Sequence, residues 1–309
     1  MPRRGRTPRL AALICLLAVG GCDAGSLIAP PDTASRTLAG TATLAWVSPT
    51  GTTATNPVTF RADATSDIVT IKYFADGTYL LGSSTDRANH FPVTYKFTGV
   101  GVRRIYVRGY NAAGTQLAGA YKDFTIRDLI PNVPYFFQYA NTYEPGATCA
   151  NTTMAMLLKY YGANYTPDQI YTEFRKQSQD EFKFDTNFNK LAARAGLKLR
   201  IRVHMETGSV AQMEAELNKQ RPVIIHGKFT SAGHVMLLIG NDGTNYTMND
   251  PAGVWGQTLC NGSTYGGSGG AGVRYGRAIV GKAITTPWQG NCTYFDPNTV
   301  RYHETYLVP

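Results

Sequence analysis

The sequence contains few of the residues and motifs from which metal, nucleotide and nucleic-acid sites are usually built. It holds only five cysteines and five histidines in 309 residues, and no HExxH, paired CxxC or phosphate-loop pattern. We therefore expect no metal and no nucleotide cofactor. Its 30 basic residues outnumber the 21 acidic ones, but no Lys/Arg run or RNA-binding aromatic motif accompanies this excess, so nucleic acid is not expected as a partner.

Long apolar runs are also missing. The run Leu10–Val19 is too short to span a bilayer as a permanent helix. It follows several arginines and precedes Gly20-Gly21-Cys22, which is the layout of an export signal. The ending resembles a bacterial lipobox, so residues 1–21 are predicted to be a lipoprotein signal peptide and Cys22 the lipidated anchor. An ordinary signal peptide with a chance cysteine is the alternative.

Residues 22–40 are small, polar and proline-containing, and they predict a tether. From 41 to 128 the chain changes to short alternating segments separated by turn residues, such as the Asp76-Gly77 pair. About seven strands without a helical stretch predict an all-β sandwich. The pattern of short strands and turns resembles that of a bacterial immunoglobulin-like domain. Its expected role is that of a spacer, with binding by its loops as the alternative.

Helical patterns begin after Pro131. Thr166 and Ser209 each precede a helical period and have a glutamine three residues later, which predicts two capping boxes. Apolar strands follow, so residues 131–309 are predicted to form an α+β domain with an antiparallel sheet. The glycine-rich segment Gly266–Gly270 fits GxSxG literally, but it lacks a strand-to-helix context and predicts a flexible flap.

Cys149 is the first candidate for chemistry. Apolar residues at helical spacing follow it, and Gly162 closes the predicted helix, so the thiol lies at a helix N-terminus, where a thiolate is favoured. Cys260 and Cys292 both lie in loop-like sequence, and we expect them to form a disulfide in an oxidising compartment. That pairing leaves Cys149 free; a structural cysteine is the alternative.

A nucleophilic cysteine needs a base. His234 stands at the head of the apolar strand VMLLIG, and a three-residue loop after that strand would place Asp250 opposite it on the same side. His226 is more typical of a satisfied strand histidine. His303 has no obvious carboxylate partner at hairpin distance. His204 is expected on the solvent-exposed face of its strand, together with Arg200 and Arg202.

The segments VPYFFQYANTYEPGATCANTTMAMLLKYYG, GHVMLLIGND and YTMNDPAG carry a family resemblance. They resemble the papain-fold cysteine peptidases related to the bacteriocin-processing, double-glycine-leader peptidases, over about residues 131–309. The resemblance implies a papain-like fold in which Cys149 is the nucleophile, His234 the base, Asp250 its orienting residue and Gln138 the oxyanion-hole glutamine. The usual Cys-Gly-Pro-Thr-Ser is replaced here by Cys-Ala-Asn-Thr-Thr.

These observations predict an exported lipoprotein, anchored in the bacterial cell envelope, whose C-terminal domain is a thiol hydrolase. Its expected substrate is a peptide or protein, cleaved at a peptide or related amide bond by a Cys-His-Asp mechanism. Acyl transfer from the same thioester is a related possibility. The alternative from another class is a catalytically inactive papain-like domain that acts as a binding or adhesion module.

Overall fold

The computed structural model describes residues 36–37, 42–177, 181–259, 265–267, 269–285 and 299–309. The predicted signal peptide, the anchor Cys22 and the expected Cys260–Cys292 pair lie outside the described residues. Within the described parts of the chain, no helix is long and apolar enough to cross a membrane.

The N-terminal part consists of strands in two sheets around one core. One sheet has the order β2-β4-β7, and the other contains β6-β5-β8-β9 with β1 and β3 also paired to β9. Phe60 and Tyr73 stack across the core with ring centroids 5.8 Å apart, and Phe124 packs on Phe60 at 5.9 Å. The strands are β1 Arg36–Thr37, β2 Leu44–Ser48, β3 Thr53–Thr55, β4 Val58–Ala64, β5 Thr70–Ala75, β6 Tyr79–Ser84, β7 Val93–Tyr95, β8 Gly101–Tyr110 and β9 Gln116–Leu129.

Local turn chemistry accounts for the best-defined hairpin. Asp76 and Gly77 both have positive φ angles, of 52° and 87°, and they connect β5 to β6, which confirms the predicted tight turn. Arg36–Thr37 lie in the predicted tether, yet they pair with Gly119 and Ala118 of β9. The last tether residues thus include a short strand, whose pairing with a distant segment leaves no local sequence pattern.

The C-terminal part is an antiparallel sheet with helices on both faces. The sheet runs β10-β17-β11-β12-β13-β16. Helices α1, α2 and α3 share the core on one face, and α4 and α5 pack on the other. The elements are α1 Cys149–Tyr160, α2 Pro167–Phe174, α3 Glu181–Arg194, β10 Leu199–Gly208, α4 Val210–Asn218, β11 Val223–Gly227, β12 His234–Asn241, β13 Asn245–Asn249, β14 Val254–Trp255, β15 Tyr265–Gly266, β16 Val273–Gly276, α5 Arg277–Thr285 and β17 Val300–Leu307.

Both predicted capping boxes are confirmed. The Thr166 side chain accepts from the Gln169 backbone N–H at the start of α2, and the Gln169 side chain accepts from the Thr166 backbone. Ser209 and Gln212 repeat this exchange at the start of α4. Each box satisfies two backbone donors that a helix N-terminus leaves without partners.

One strand joins the two parts. The end of β9 pairs with β12, Leu129 with Gly240 and Asp128 with Asn241, so the sheet continues across the expected boundary near residue 130. Gly240 has to be glycine for this contact, because a Cβ there would lie 2.8 Å from the Asp128 carbonyl oxygen. Residues 33–309 accordingly form one compact unit.

Candidate active site

Cys149 is the first residue of α1, as the sequence predicts. The helix ends next to Gly162, whose φ of 97° reverses the chain. The sequence predicts one buried face for α1, but every residue from Ala150 to Leu158 is buried. This helix therefore lies inside the domain, and its position is fixed on all sides.

The three polar residues Asn151, Thr152 and Thr153 fix α1 in place. The Thr153 hydroxyl donates to the Val235 carbonyl oxygen of β12 at 3.2 Å. The Asn151 side chain donates to the Arg175 carbonyl oxygen at 3.1 Å and accepts from the Gln177 backbone N–H at 2.8 Å. The Thr153 bond holds the first turn of α1 against the start of β12, where His234 stands, and the Asn151 bonds tie it to the segment after α2. Two residues that depart from the Gly-Pro-Thr-Ser pattern, Asn151 and Thr153, thus anchor the helix that carries the thiol.

His234 bridges a thiol and a carboxylate. Its Nε2 atom lies 2.9 Å from Oδ1 of Asp250, and its side chain hydrogen-bonds to the Cys149 side chain. Because Nε2 is engaged by the carboxylate, Nδ1 is the ring nitrogen left for the thiol. The imidazole is 6% exposed, so it makes both bonds inside the protein.

Asp250 reaches His234 in a different register from the expected one. Leu237 pairs with Asn249, and a β-bulge shifts the pairing further along, so that Asn241 pairs with Tyr246. The predicted strand pairing of His234 with Asp250 is therefore wrong. The two side chains still meet, because β13 ends at Asn249 and Asp250 lies just beyond the strand, where the chain turns.

The Asp250 carboxylate is fully buried and surrounded by donors. Oδ1 accepts from the backbone N–H of Ala252 at 3.0 Å as well as from His234. Oδ2 accepts from the Tyr275 hydroxyl at 2.8 Å. Both carboxylate oxygens are therefore hydrogen-bonded inside the protein, as buried polar groups generally are.

Charge separation between Cys149 and His234 is favoured. Burial raises the pKa of the Cys149 thiol, but the charge and hydrogen bond of His234, together with backbone hydrogen bonds from Val235 and Ala150, bring the pKa below its ordinary value. Burial lowers the pKa of His234, yet the Asp250 and Cys149 charges raise it to about 10. The arrangement therefore favours a thiolate–imidazolium pair near neutral pH.

Two aromatic rings cover the imidazole. The Tyr265 ring lies edge-on to the His234 ring with centroids 5.3 Å apart, and Phe229 approaches at 6.4 Å. The Tyr265 hydroxyl is buried and has no hydrogen-bond partner among the described residues. These rings limit contact between His234 and water, which strengthens the electrostatic interactions within the site.

Gln138 lies in the same neighbourhood. Its backbone N–H donates to the Pro251 carbonyl oxygen, next to Asp250, at 2.8 Å. Its side-chain Nε2 donates to the Pro145 carbonyl oxygen at 3.1 Å, and its Oε1 is buried without a partner in the described structure. The chain from Pro145 leads to Cys149 within four residues, so Gln138 contacts the segments on both sides of the site.

The comparisons with known proteins agree with this geometry. Residues 130–261 match the Peptidase_C39 like family. The match supports a C39-like papain-fold peptidase over this region. The family implies a cysteine peptidase. No curated protein matches the sequence.

Two solved structures show weak similarity. A protein described as a C39-like peptidase from Bacillus anthracis is 14% identical, with 57% of this chain and 96% of that chain covered and a TM-score of 0.39. Fibronectin(III)-like modules of Clostridium thermocellum CbhA are 16% identical, with 27% and 95% covered and a TM-score of 0.23. At these values neither similarity assigns a fold or an activity.

Cys149, His234, Asp250 and Gln138 all fall within the C39-like region. The side chains of Cys149, His234 and Asp250 form one hydrogen-bonded chain. Tyr265 and Tyr275 lie beyond the matched residues and were not singled out from the sequence. Both belong to short strands whose sequences carry no signal of contact with His234 or Asp250.

The remaining C-terminal histidines are engaged elsewhere. His303 Nδ1 lies 2.5 Å from the Asp185 carboxylate, and its Nε2 lies 2.8 Å from Nε2 of His226. His303 has a carboxylate partner that is not at hairpin distance, because Asp185 comes from α3, far away in sequence. His204 binds Glu304 at 2.8 Å. Within the described residues, no group of His, Cys, Asp and Glu side chains is arranged to hold a metal ion.

Proposed function

We propose that the C39-like region is a thiol hydrolase that cleaves a peptide or related amide bond. The hydrogen-bonded chain from Cys149 through His234 to Asp250 carries this proposal. The Cys149 thiolate attacks the carbonyl carbon of the scissile bond, and the His234 imidazolium gives its proton to the leaving amine. A water molecule, deprotonated by His234, then hydrolyses the thioester and regenerates the thiolate.

The oxyanion of each tetrahedral intermediate needs donors. The backbone N–H of Cys149 lies at the start of α1, where amide groups have no partner within the helix. The Gln138 amide carries two hydrogens on Nε2, and the bond to Pro145 uses one of them. The second is available to the oxyanion. This supports the assignment of Gln138 to the oxyanion hole.

The test compares wild type with Cys149→Ala on a panel of peptides and cell-wall-derived amides. We expect turnover by wild type only, with an acyl-enzyme on Cys149 detectable by mass spectrometry after rapid quenching. Including free amines as acceptors separates hydrolysis from acyl transfer, because a transferase forms new amides. If neither protein turns over any substrate while both still bind a peptide, the result would favour the inactive binding module instead.

Location completes the proposal. We propose that Cys22 becomes lipidated after export and that the immunoglobulin-like part holds the C39-like region away from the membrane. The signal-like N-terminus and the lipobox-like sequence support this proposal. A Cys260–Cys292 disulfide would fit the same oxidising compartment.

A further inference from the structure

The hydroxyl of Tyr275 lies between a backbone donor and the Asp250 carboxylate. It accepts from the Trp255 backbone N–H at 2.7 Å and donates to Oδ2 of Asp250 at 2.8 Å. Tyr275 is 1% exposed and extends from β16, at the far edge of the C-terminal sheet from β10. The hydroxyl therefore connects two segments of chain inside the protein.

The direction of the Tyr275 hydroxyl proton follows from its neighbours. A hydroxyl has one hydrogen, and the Trp255 N–H already occupies a lone pair of the oxygen. The carbonyl oxygen of Gly253 is a distant alternative acceptor at 3.4 Å, so the hydrogen points to Asp250. Burial raises the pKa of Tyr275, and the charge of Asp250 raises it further. The hydroxyl thus remains a donor across the working range of pH.

Asp250 is otherwise held mainly through its backbone. Its N–H donates to the Gly270 carbonyl oxygen at 2.8 Å, and its own carbonyl oxygen accepts from the Tyr135 hydroxyl at 3.1 Å. Those bonds fix the turn, and the Ala252 backbone N–H holds Oδ1 of the carboxylate at 3.0 Å. Among the described hydrogen bonds, Oδ2 of Asp250 is held by the one from Tyr275. Because the two carboxylate oxygens turn together, this bond also keeps Oδ1 directed at His234.

We propose that Tyr275 is a positioning residue of the active site, which keeps the Asp250 carboxylate turned toward His234. The inference rests on the proposed function, since it gives Tyr275 a role only through the Cys149–His234 pair. Tyr275 does not touch the substrate in this proposal. It acts on the charge that stabilises the imidazolium.

Loss of the Tyr275 hydroxyl has a defined consequence. Without this donor the Asp250 carboxylate is held through Oδ1 alone and can turn away from His234. Its charge then raises the pKa of His234 less, so the imidazolium and the Cys149 thiolate that it stabilises are less favoured. The other titratable groups that interact with Asp250 are His234 on β12, Tyr265 on β15 and Tyr135 in the segment after β9, and Cys149 on α1 interacts with His234. The tyrosines stay neutral, so the acidic limb of activity reports on the Cys149–His234 pair.

The variant Tyr275→Phe tests this, and Tyr246→Phe is its matched control. Tyr246 is the cross-strand partner of Tyr275, is fully buried, and donates its hydroxyl to Glu214 at 2.6 Å rather than to the site. Both variants lose one buried hydroxyl that binds a carboxylate. The rate of reaction of Cys149 with a small aromatic disulfide is measured against pH, with Cys149→Ala as the blank. The pH profile of kcat/KM follows on any substrate that wild type cleaves.

We expect the acidic limb of both profiles to move upward by about one to two pH units in Tyr275→Phe, since a hydrogen bond to a charged group is lost. Tyr246→Phe should keep the acidic limb of wild type, even if its midpoint of thermal unfolding falls as much as that of Tyr275→Phe. Identical limbs in all three proteins would overturn the inference and leave the proposed function intact. A wild-type Cys149 that reacts like an ordinary thiol would overturn the proposed function, and the inference with it.

Discussion

Replacing His234 by alanine should abolish the thiolate of Cys149, and the size of the effect can be worked out. Without His234 the buried thiol should titrate at or above about 8.5, the value of a free thiol, so about 0.3% is ionised at about pH 6. A thiol that is mostly ionised there has about 300-fold more thiolate. Its intrinsic nucleophilicity falls with its pKa, by roughly threefold for each pKa unit, and this offsets much of the gain in thiolate. The net loss of reaction rate in the variant is about tenfold.

The assay is the reaction of Cys149 with a small aromatic disulfide, followed by absorbance from about pH 4 to pH 9. Wild type should show a plateau of reactivity on the acidic side of neutrality, and His234→Ala should show only a rise toward alkaline pH. His204→Ala is the control, because His204 binds Glu304 and lies outside the site. A plateau that persists in His234→Ala would refute the pairing and would assign the low pKa to the helix terminus alone.

Three further predictions concern other parts of the chain. Gly270→Ala should lower both the stability of the protein and the reactivity of the Cys149 thiolate, because a Cβ would lie 2.0 Å from the Asp250 carbonyl oxygen. Urea unfolding and the disulfide assay measure the two effects, and a variant that behaves like wild type in both would contradict the prediction. Burial lowers the pKa of His226 well below 6.5, so the unfolded chain takes up a proton that the folded protein excludes, and stability falls as pH drops below that value. His226→Gln should flatten this fall by up to about 1.4 kcal/mol per pH unit in urea titrations, whereas equal slopes would argue against it. Cys22→Ser should release the protein from membranes into the aqueous phase of a detergent partition, and an unmodified Cys22 in wild type would rule out the anchor.

Local signals in the sequence predicted the elements that carry the nucleophile. The helix that starts at Cys149, the two capping boxes and the Asp76-Gly77 turn each depend on residues within a few positions of one another. The start of β12 at His234 belongs to the same class, because an apolar run preceded by a glycine defines it. Such features survive tertiary packing, since packing reinforces the preferences that the local sequence already has.

Long-range contacts were not accessible in the same way. The β-bulge between Leu238 and Gly240 changes the register of the hairpin, and a strand glycine such as Gly240 is only a weak local sign of it. Asp185 and His303 are brought together by the packing of α3 on the sheet. Tyr275 meets Asp250 because β16 pairs with β13, across a segment that contains glycine-rich chain. Each contact depends on strand order or helix packing, which single-sequence patterns do not specify.

The electrostatics of Cys149 show how the two kinds of information combine. From the sequence, the low pKa of the thiol rests on its place at a helix N-terminus. In the structure the charge and hydrogen bond of His234 lower this pKa more than the backbone bonds from Val235 and Ala150 do, while burial opposes all of them. Helix position alone would therefore leave the thiol in competition with its own desolvation. The thiolate depends on the imidazolium, and the imidazolium depends on Asp250. Asp250 lies just after β13, and no described hydrogen bond joins β13 directly to α1. The reactivity of Cys149 thus depends on the end of β13 as much as on α1. Substitutions around Asp250 should change the pKa of the thiol without contacting it.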